Sequence, residues 1–234
     1  MTAILDREFT AYFYSPIGYI YLAVYFFFAG LFFSLFTLMP QRADITPVFS
    51  NMFLIVLFLI PILTMRLFSE DKKNRTDQAL LTAPVPLLSI VLGKFLAAVT
   101  VYLLGLSITI VFALIVNQFT PPNWAIIFGN FIAMLLLGMA LISIGMLISA
   151  LTENQVIAAT GGFAVACLLL FIDAMASFTN NLLVQRVLFE MSFSRHFDAF
   201  PSGVFNFSSI FFFFSITGVF VFLTVRTLEK RRWS

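Results

Sequence analysis

Charged side chains are scarce in this sequence. Only 10% of its 234 residues are Asp, Glu, Lys or Arg, whereas 61% are hydrophobic and 17% are aromatic. A soluble domain usually carries about 25% charged residues, because its surface has to be hydrated. A folded chain of this size leaves much of its surface exposed and could not hide this much apolar area from water. The composition therefore excludes a soluble enzyme, a nucleic-acid-binding protein and a disordered chain, and it predicts that lipid surrounds most of the protein.

Residue types that usually carry chemistry are also few. The sequence has one cysteine, Cys167, and one histidine, His196, so no two-cysteine or two-histidine metal spacing is present. It has no G-x-x-x-x-G-K-[ST] loop, which is the sequence that binds ATP in P-loop proteins. Ser194, His196 and Asp198 alternate along one segment, but a catalytic triad needs side chains that converge from different directions beside an oxyanion hole. We predict a chain without catalytic residues, cofactor or metal of its own.

Ionisable residues inside the apolar runs are equally rare. Ion-driven carriers usually place Asp, Glu, His or Arg within their spans as relays or ligands. Asp173 is the clearest candidate here, and its position toward the end of a run is also that of an interfacial residue. The sequence therefore gives little support to an ion-coupled carrier or channel, and we expect energy for transport to come from another polypeptide.

Six long apolar runs are present. A helix rises about 1.5 Å per residue, so about 20 apolar residues cross a hydrocarbon core of about 30 Å. The runs lack the alternating polarity of membrane β-strands. They predict an all-α, polytopic membrane protein with six transmembrane helices in a single transmembrane domain, residues 1–234. The predicted spans are residues 17–39, 47–68, 87–116, 124–151, 156–178 and 204–226.

Positive charges are divided unequally between the two sets of connecting segments. Cytoplasmic segments of membrane proteins carry an excess of Lys and Arg. Because six spans place both termini on one side, the distribution predicts that both termini are cytoplasmic. On the predicted cytoplasmic side lie Arg7, Arg66, Lys72, Lys73, Arg75, Lys94, Arg226, Lys230, Arg231 and Arg232. The opposite side has only Arg42, Arg186 and Arg195.

The N-terminal segment, residues 2–15, has an amphipathic pattern. As a helix it places Leu5, Phe9, Tyr12 and Phe13 on one face. Such a helix can lie in the membrane interface before the chain turns inward. The alternative is an ordinary cytoplasmic lead-in with scattered apolar residues.

Residues 69–82 form the most informative cytoplasmic segment. Ser69 can cap a helix whose first turn carries Glu70 and Asp71, where negative charge is favourable. Leu80 and Leu81 follow beside the charges, which suits docking against a partner protein. The alternative is a simple solvated loop.

Several short motifs in this sequence resemble one family. Residues 61–73 read PILTMRLFSEDKK, followed by Thr76, the Leu80–Leu81 pair and Pro84. The N-terminal segment has REF and YF, then SPIGY at residues 15–19, and LTENQV occupies residues 151–156. In this order, and with six spans, these motifs resemble ABC-2 type transporter permeases, most closely the gliding-motility-associated branch. Members of that branch usually have Gly before the loop Thr and Glu soon after it, where this chain has Arg75 and Gln78.

The resemblance implies the transmembrane permease subunit of an ATP-driven ABC exporter in a bacterial cytoplasmic (inner) membrane. A second permease copy or homologue would pair with it, and separate ABC ATP-binding subunits would bind and hydrolyse ATP. Residues 69–82 would be the coupling helix, residues 2–15 the interfacial helix, and residues 181–202 short helices that re-enter the outer leaflet. The implied ATPase-docking residues are Glu70, Asp71, Lys72, Lys73, Thr76, Leu80, Leu81, Glu153 and Asn154. Those of the interfacial helix are Arg7, Glu8, Phe9, Tyr12 and Phe13.

A second class of function stays open. The gliding-type resemblance is also consistent with a membrane anchor or scaffold that holds an ATPase-driven machine without moving a solute. Related permeases export drugs, peptides, lipids or polysaccharides, so the resemblance implies no single substrate.

Overall fold

The computed structural model describes residues 2–76, 85–178, 182–198, 200 and 206–232. These residues are helical or lie in turns and short connections. Within them, six helical segments are long and apolar enough to cross a membrane. The predicted all-α fold with six spans is therefore confirmed. In chain order the elements are α1 (Thr2–Tyr14), α2 (Pro16–Phe33), a π-helical turn (Ser34–Leu38), α3 (Thr46–Thr64), α4 (Ser69–Lys73), α5 (Leu87–Leu106), α6 (Ile108–Asn117), α7 (Trp124–Leu151), α8 (Gln155–Phe178), α9 (Leu182–Met191), α10 (Phe193–Asp198) and α11 (Phe207–Arg232).

The helices differ from the predicted spans most clearly in the second, third and last spans. The third is interrupted at Ser107, between α5 and α6. The second span was predicted to end at residue 68, but α3 ends at Thr64 and a turn leads into α4. The last span was predicted to end at residue 226, but α11 continues to Arg232. Lys and Arg have high helix propensity and are favourable near a helix C-terminus. Helix α11 therefore extends beyond the end of its apolar run.

Helix α7 lies at the centre of the bundle. It packs against α3, α5, α8 and α11. Two of its glycines allow very close approach, because a Cβ added at Gly138 would lie 2.1 Å from the Tyr102 ring, and one added at Gly145 would lie 2.2 Å from Thr64 Oγ1. In lipid, close packing rather than the hydrophobic effect drives the association of helices, so these glycines help to hold the bundle together.

The two ends of the bundle differ. At one end, α1 packs along α5, and α4 contacts the neighbouring ends of α7 and α8. The cations Arg7, Arg66, Lys72 and Lys94 belong to this end. The opposite end holds the π-helical turn, α9 and α10. An even number of spans places both termini on the same side, which is the cation-rich one.

Short helices were predicted in residues 181–202, and the structure has α9 and α10 in this segment. Helix α9 leaves Leu183, Val187 and Met191 more than half exposed, whereas α10 buries Phe193 and Phe197 against the bundle. An exposed apolar face on a short helix is typical of a segment that lies in a membrane interface.

Candidate functional site

Ser149 of α7 fixes helix α4 to the end of α7. The backbone N–H groups of Phe68 and Ser69 donate to Ser149 Oγ at 3.0 and 3.1 Å. The Ser149 hydroxyl in turn donates to the Met65 carbonyl at 3.0 Å. The first N–H groups of a helix have no acceptor within that helix. Ser149 of α7 supplies the acceptor for the start of α4.

This arrangement corrects the predicted helix cap. Ser69 was expected to cap α4, but Phe68 occupies the cap position and makes no side-chain hydrogen bond. The Ser69 hydroxyl instead donates to the Met65 carbonyl, and Lys72 is buried with its ammonium donating to the Ala150 carbonyl. The sequence pattern was misleading because the capping oxygen comes from a residue far away in the chain.

Lys94 connects α5 to α1 and α4. It is only 1% exposed, and its Nζ lies 2.9 Å from Glu8 Oε1 and 2.6 Å from Asp71 Oδ2. Arg7 pairs with Glu8 and lies 3.9 Å from Asp71 Oδ2. Buried charges are tolerated when they are paired, and here two cations and two carboxylates neutralise one another. We call Arg7, Glu8, Asp71 and Lys94 the ionic cluster.

The cluster affects the ionisation of Arg7. Burial by itself would lower the pKa of Arg7, but its hydrogen bond to Glu8 and the charges of Glu8 and Asp71 outweigh burial and raise that pKa above its ordinary value. The guanidinium of Arg7 therefore stays charged at any physiological pH.

A second set of contacts joins α1 to the turn between α3 and α4. Arg66 pairs with Glu70 at 2.8 Å, donates to the Ala11 carbonyl at 3.3 Å and lies 5.3 Å from the centre of the Tyr12 ring. The buried Tyr12 hydroxyl donates to the Leu63 carbonyl at 2.9 Å. Burial raises the pKa of Tyr12, so the phenol stays neutral and remains a donor.

Asp71 also fixes the exposed turn that follows α4. Arg75 adopts a left-handed conformation with φ of 57°. This turn brings Thr76 back to Asp71, whose Oδ1 accepts the Thr76 hydroxyl at 2.9 Å while its Oδ2 faces Lys94. One carboxylate thus connects a surface turn to a buried lysine of a membrane span.

These contacts make α1, α4, and the adjoining ends of α5 and α7 one packed unit at the cation-rich end of a six-span membrane protein. The sequence of this protein also matches one known protein family over nearly its whole length. The family described as ABC-2 family transporter protein matches residues 3–226. The chain belongs to the ABC-2 family. A comparison with curated proteins finds no match.

Membership identifies the ABC-2 chain as a membrane permease component of an ABC transport system. The structure places its predicted docking residues in two groups. Asp71 and Lys72 point into the protein, and Glu70 is held by Arg66. Lys73, Thr76, Glu153 and Asn154 are exposed. Leu80 and Leu81 lie outside the described residues. The docking role of all these residues stays a prediction.

Residues 152–154 lie beside α4, because α4 contacts both helices that they connect. Asn154 caps α8 by accepting the Val156 N–H at 2.9 Å, and its own N–H donates to Thr152 Oγ1 at 3.2 Å. The connection therefore has a defined shape, and the exposed Glu153 is presented at a fixed place next to α4.

The predicted interfacial segment of the ABC-2 chain is the helix α1. Glu8 and Arg7 belong to the ionic cluster, and Tyr12 is buried against α3. Phe9 and Phe13 are half-buried, with ring centres 5.1 Å apart. The predicted apolar face of α1 thus packs largely on the protein itself.

Sequence reasoning missed Lys94 and Ser149. Lys94 was counted only as one of the cytoplasmic positive charges. A signal was present, because a single lysine within the third apolar run is unusual and such residues are commonly functional. Ser149 gave no signal, since a serine in a membrane helix is ordinary.

Ser194, His196 and Asp198 of the ABC-2 chain do not converge. His196 faces away from the other two, with Nδ1 3.1 Å from Ser209 Oγ and Nε2 3.1 Å from the Glu190 carbonyl oxygen. The three residues lie in helix α10, where alternate positions do not share a face. Within the described residues, no group of three or more His, Cys, Asp or Glu is placed to hold a metal ion.

Proposed function

We propose that this protein is the permease subunit of an ATP-driven exporter in a bacterial cytoplasmic membrane. It works as a dimer of permease subunits, with the partner either an identical copy or a homologue. Separate ATP-binding subunits bind and hydrolyse ATP, because the sequence of this chain has no P-loop. Family membership supports the ABC assignment, and the cation-rich end supports the docking of a cytoplasmic partner.

The observation that carries the proposal is the shape of the surface around α4. Lys73, Asn74, Arg75 and Thr76 are exposed, and Glu153 is exposed on the neighbouring connection. All of them lie on α4 or on the segments next to it. Contacts of Ser149, Asp71 and the buried Lys72 with neighbouring helices and turns fix these segments in place. A polar surface that is rigidly supported but makes few contacts of its own is suited to binding another protein.

The charged residues around α4 take roles that differ from those expected from the sequence. Glu70 and Asp71 were the charged contacts expected from the sequence, but their carboxylates are paired with Arg66 and Lys94. We assign the direct ATPase contacts to the exposed Lys73, Arg75, Thr76 and Glu153. Asp71 then has a different task, since it holds the turn with Arg75 and Thr76 in place.

The same contacts offer a route for movement. When the ATPase moves α4, Ser149 transfers the displacement to α7, and Asp71 transfers it to α5 through Lys94. Packed elements move as rigid bodies, so a small displacement at the surface can shift whole spans. The ionic cluster makes α1 part of the moving unit.

The test uses the permease co-expressed with the ABC ATP-binding protein that is its proposed partner. Lys73→Glu combined with Glu153→Arg reverses two exposed charges on the proposed docking surface. Lys230→Glu is the matched control, because Lys230 is exposed on the same side but lies on α11. We expect the double variant to lower the ATPase retained during purification by about tenfold, with unchanged thermal stability, and the control to retain it.

Undiminished retention by the double variant would contradict the docking surface. Vesicles that contain the wild-type complex separate export from the scaffold alternative. A scaffold would retain the ATPase but would show no ATP-dependent movement of any solute tested, whereas an exporter requires such movement.

A further inference from the structure

A cavity of about 390 Å³ opens at the end of the bundle opposite the ionic cluster. It lies between the end of the first span and the end of α6. Leu38, Ile115 and Phe119 line its apolar part, and Gln41, Arg42 and Thr120 line its polar part. A cavity lined both by apolar side chains and by a cation is complementary to an amphiphile with an anionic head.

The polar part is built by an unusual chain path. The π-helical turn Ser34–Leu38 widens the end of the first span, and Gln41 then adopts a left-handed conformation with φ of 53°. The Arg42 N–H donates to the Thr37 carbonyl at 3.0 Å, which closes the turn. Departures from regular helix of this kind often occur at functional sites.

Arg42 has no carboxylate partner within the described part of the chain. The nearest acidic residue in sequence is Asp44, whose Oδ1 accepts the Thr46 N–H at 2.9 Å. Its carbonyl accepts the Thr37 hydroxyl at 3.3 Å. Asp44 thus helps to close the turn and begin α3, while the guanidinium of Arg42 remains exposed beside the cavity.

The position of the cavity at the ends of two spans favours a lipid as its ligand. It lies where two apolar spans end, and Trp124 begins α7 at the same end of the bundle. Tryptophan is enriched at the level of lipid headgroups. Leu38, Ile115 and Phe119 are 49%, 37% and 81% exposed, so they present apolar surface to the surrounding acyl chains. A water-soluble anion would use Arg42 but would leave this apolar wall uncovered.

We propose that this cavity is a binding site for one anionic phospholipid. The headgroup phosphate pairs with the Arg42 guanidinium, whose planar donors suit phosphate oxygens. Gln41 and Thr120 supply further hydrogen-bonding groups at the rim. An acyl chain lies against Leu38, Ile115 and Phe119. The site is separate from the proposed ATPase-docking surface, and it does not depend on which solute is exported.

Native mass spectrometry of the delipidated, full-length protein tests this. Phosphatidylglycerol, phosphatidylcholine and glycerol phosphate are added in turn. We expect a first phosphatidylglycerol to bind about tenfold more tightly than phosphatidylcholine, and glycerol phosphate to bind no more than weakly because it has no acyl chains. Arg42→Gln should remove about this tenfold preference. The matched control is Arg186→Gln, since Arg186 is an exposed arginine of the same end that does not line the cavity.

A second variant tests the cavity without changing charge. Thr120→Trp places a large side chain at the exposed rim, and it should weaken the first phosphatidylglycerol while melting behaviour stays unchanged. Equal binding of the two lipids, or equal loss of binding in the Arg42 and Arg186 variants, would overturn the proposal. Tight binding of glycerol phosphate that depends on Arg42 would also overturn it, because the site would then recognise a soluble phosphate.

Discussion

The ammonium of Lys94 lies 2.6 Å from the carboxylate of Asp71, at a position where the lysine is 1% exposed. This pair joins a membrane span to the short helix at the cation-rich end of the bundle. The other oxygen of Asp71 accepts the hydroxyl of Thr76 on the surface. In the proposed coupling mechanism, a displacement of that surface turn would reach α5 through this pair.

Removing the charge of Lys94 should destabilise the protein strongly. Lys94→Met leaves the largely buried Glu8 and Asp71 carboxylates with the half-exposed Arg7 as their remaining cation. Loss of one member of a buried pair costs up to about 3–5 kcal/mol. Lys94→Met with Asp71→Asn should recover part of that loss. Thermal unfolding of the four proteins of this double-mutant cycle measures the coupling. Simple additivity would show that the two residues do not interact.

Ser149→Ala should loosen α4 without disturbing the rest of the bundle. The change removes an acceptor for two buried N–H groups and a donor for the Met65 carbonyl. Leaving such groups unpaired costs about 1–3 kcal/mol. We expect lower retention of the ATPase together with faster amide exchange around residues 68–72. Ser50→Ala is the control, since Ser50 is exposed and bonds only within its own helix. Unchanged exchange in the Ser149 variant would contradict the assigned role.

A methyl group at Gly138 should not be accommodated. An added Cβ would lie 2.1 Å from the Tyr102 ring, whose hydroxyl is held by the Met134 carbonyl. Overpacking of this kind costs about 1–3 kcal/mol. Gly218→Ala is the matched control, because a Cβ there meets nothing within 4 Å and alanine favours a helix. The melting temperature should fall in the first variant and stay equal or rise in the second.

The orientation can be tested with single cysteines in a Cys167→Ser background. Asn74 lies at the predicted cytoplasmic end and Gln118 at the opposite end, and both are exposed. A membrane-impermeant thiol reagent added to intact cells should label Gln118→Cys only. Labelling of Asn74→Cys under the same conditions would reverse the predicted topology.

The purified chain alone should not hydrolyse ATP, because its sequence has no phosphate-binding loop. Phosphate release is measured with and without the co-expressed ATP-binding protein, and a catalytically inactive variant of that protein controls for contamination. Turnover by the isolated permease would contradict the proposed division of labour.

The sequence predicted the features that depend only on which residue types follow one another within a single segment. The apolar runs predicted six spans, and the amphipathic pattern of residues 2–15 predicted a helix that the structure has as α1. The charges and motifs of residues 61–73 indicated the family that the whole-chain comparison shows. In each case the physical cause is local, since a helix satisfies its own backbone and lipid selects apolar side chains.

Span ends and helix caps were less predictable, because they depend on neighbours. Apart from Arg66, residues 65–68 continue the apolar run of the second span, yet they form a turn that is held by Ser149 of α7. The apolar run of the last span ends near Arg226, but α11 continues because its basic residues also favour a helix.

The sequence by itself determined that this protein is a six-span membrane protein with its cations concentrated in one set of connecting segments. Only the tertiary structure decided what those cations do. Lys94 and Asp71 are 23 positions apart in the sequence, and Glu8 is farther still, so no local pattern could show that they meet. In a low-dielectric interior an unpaired charge is too costly, and packing of α1, α4 and α5 is what brings each charge its partner.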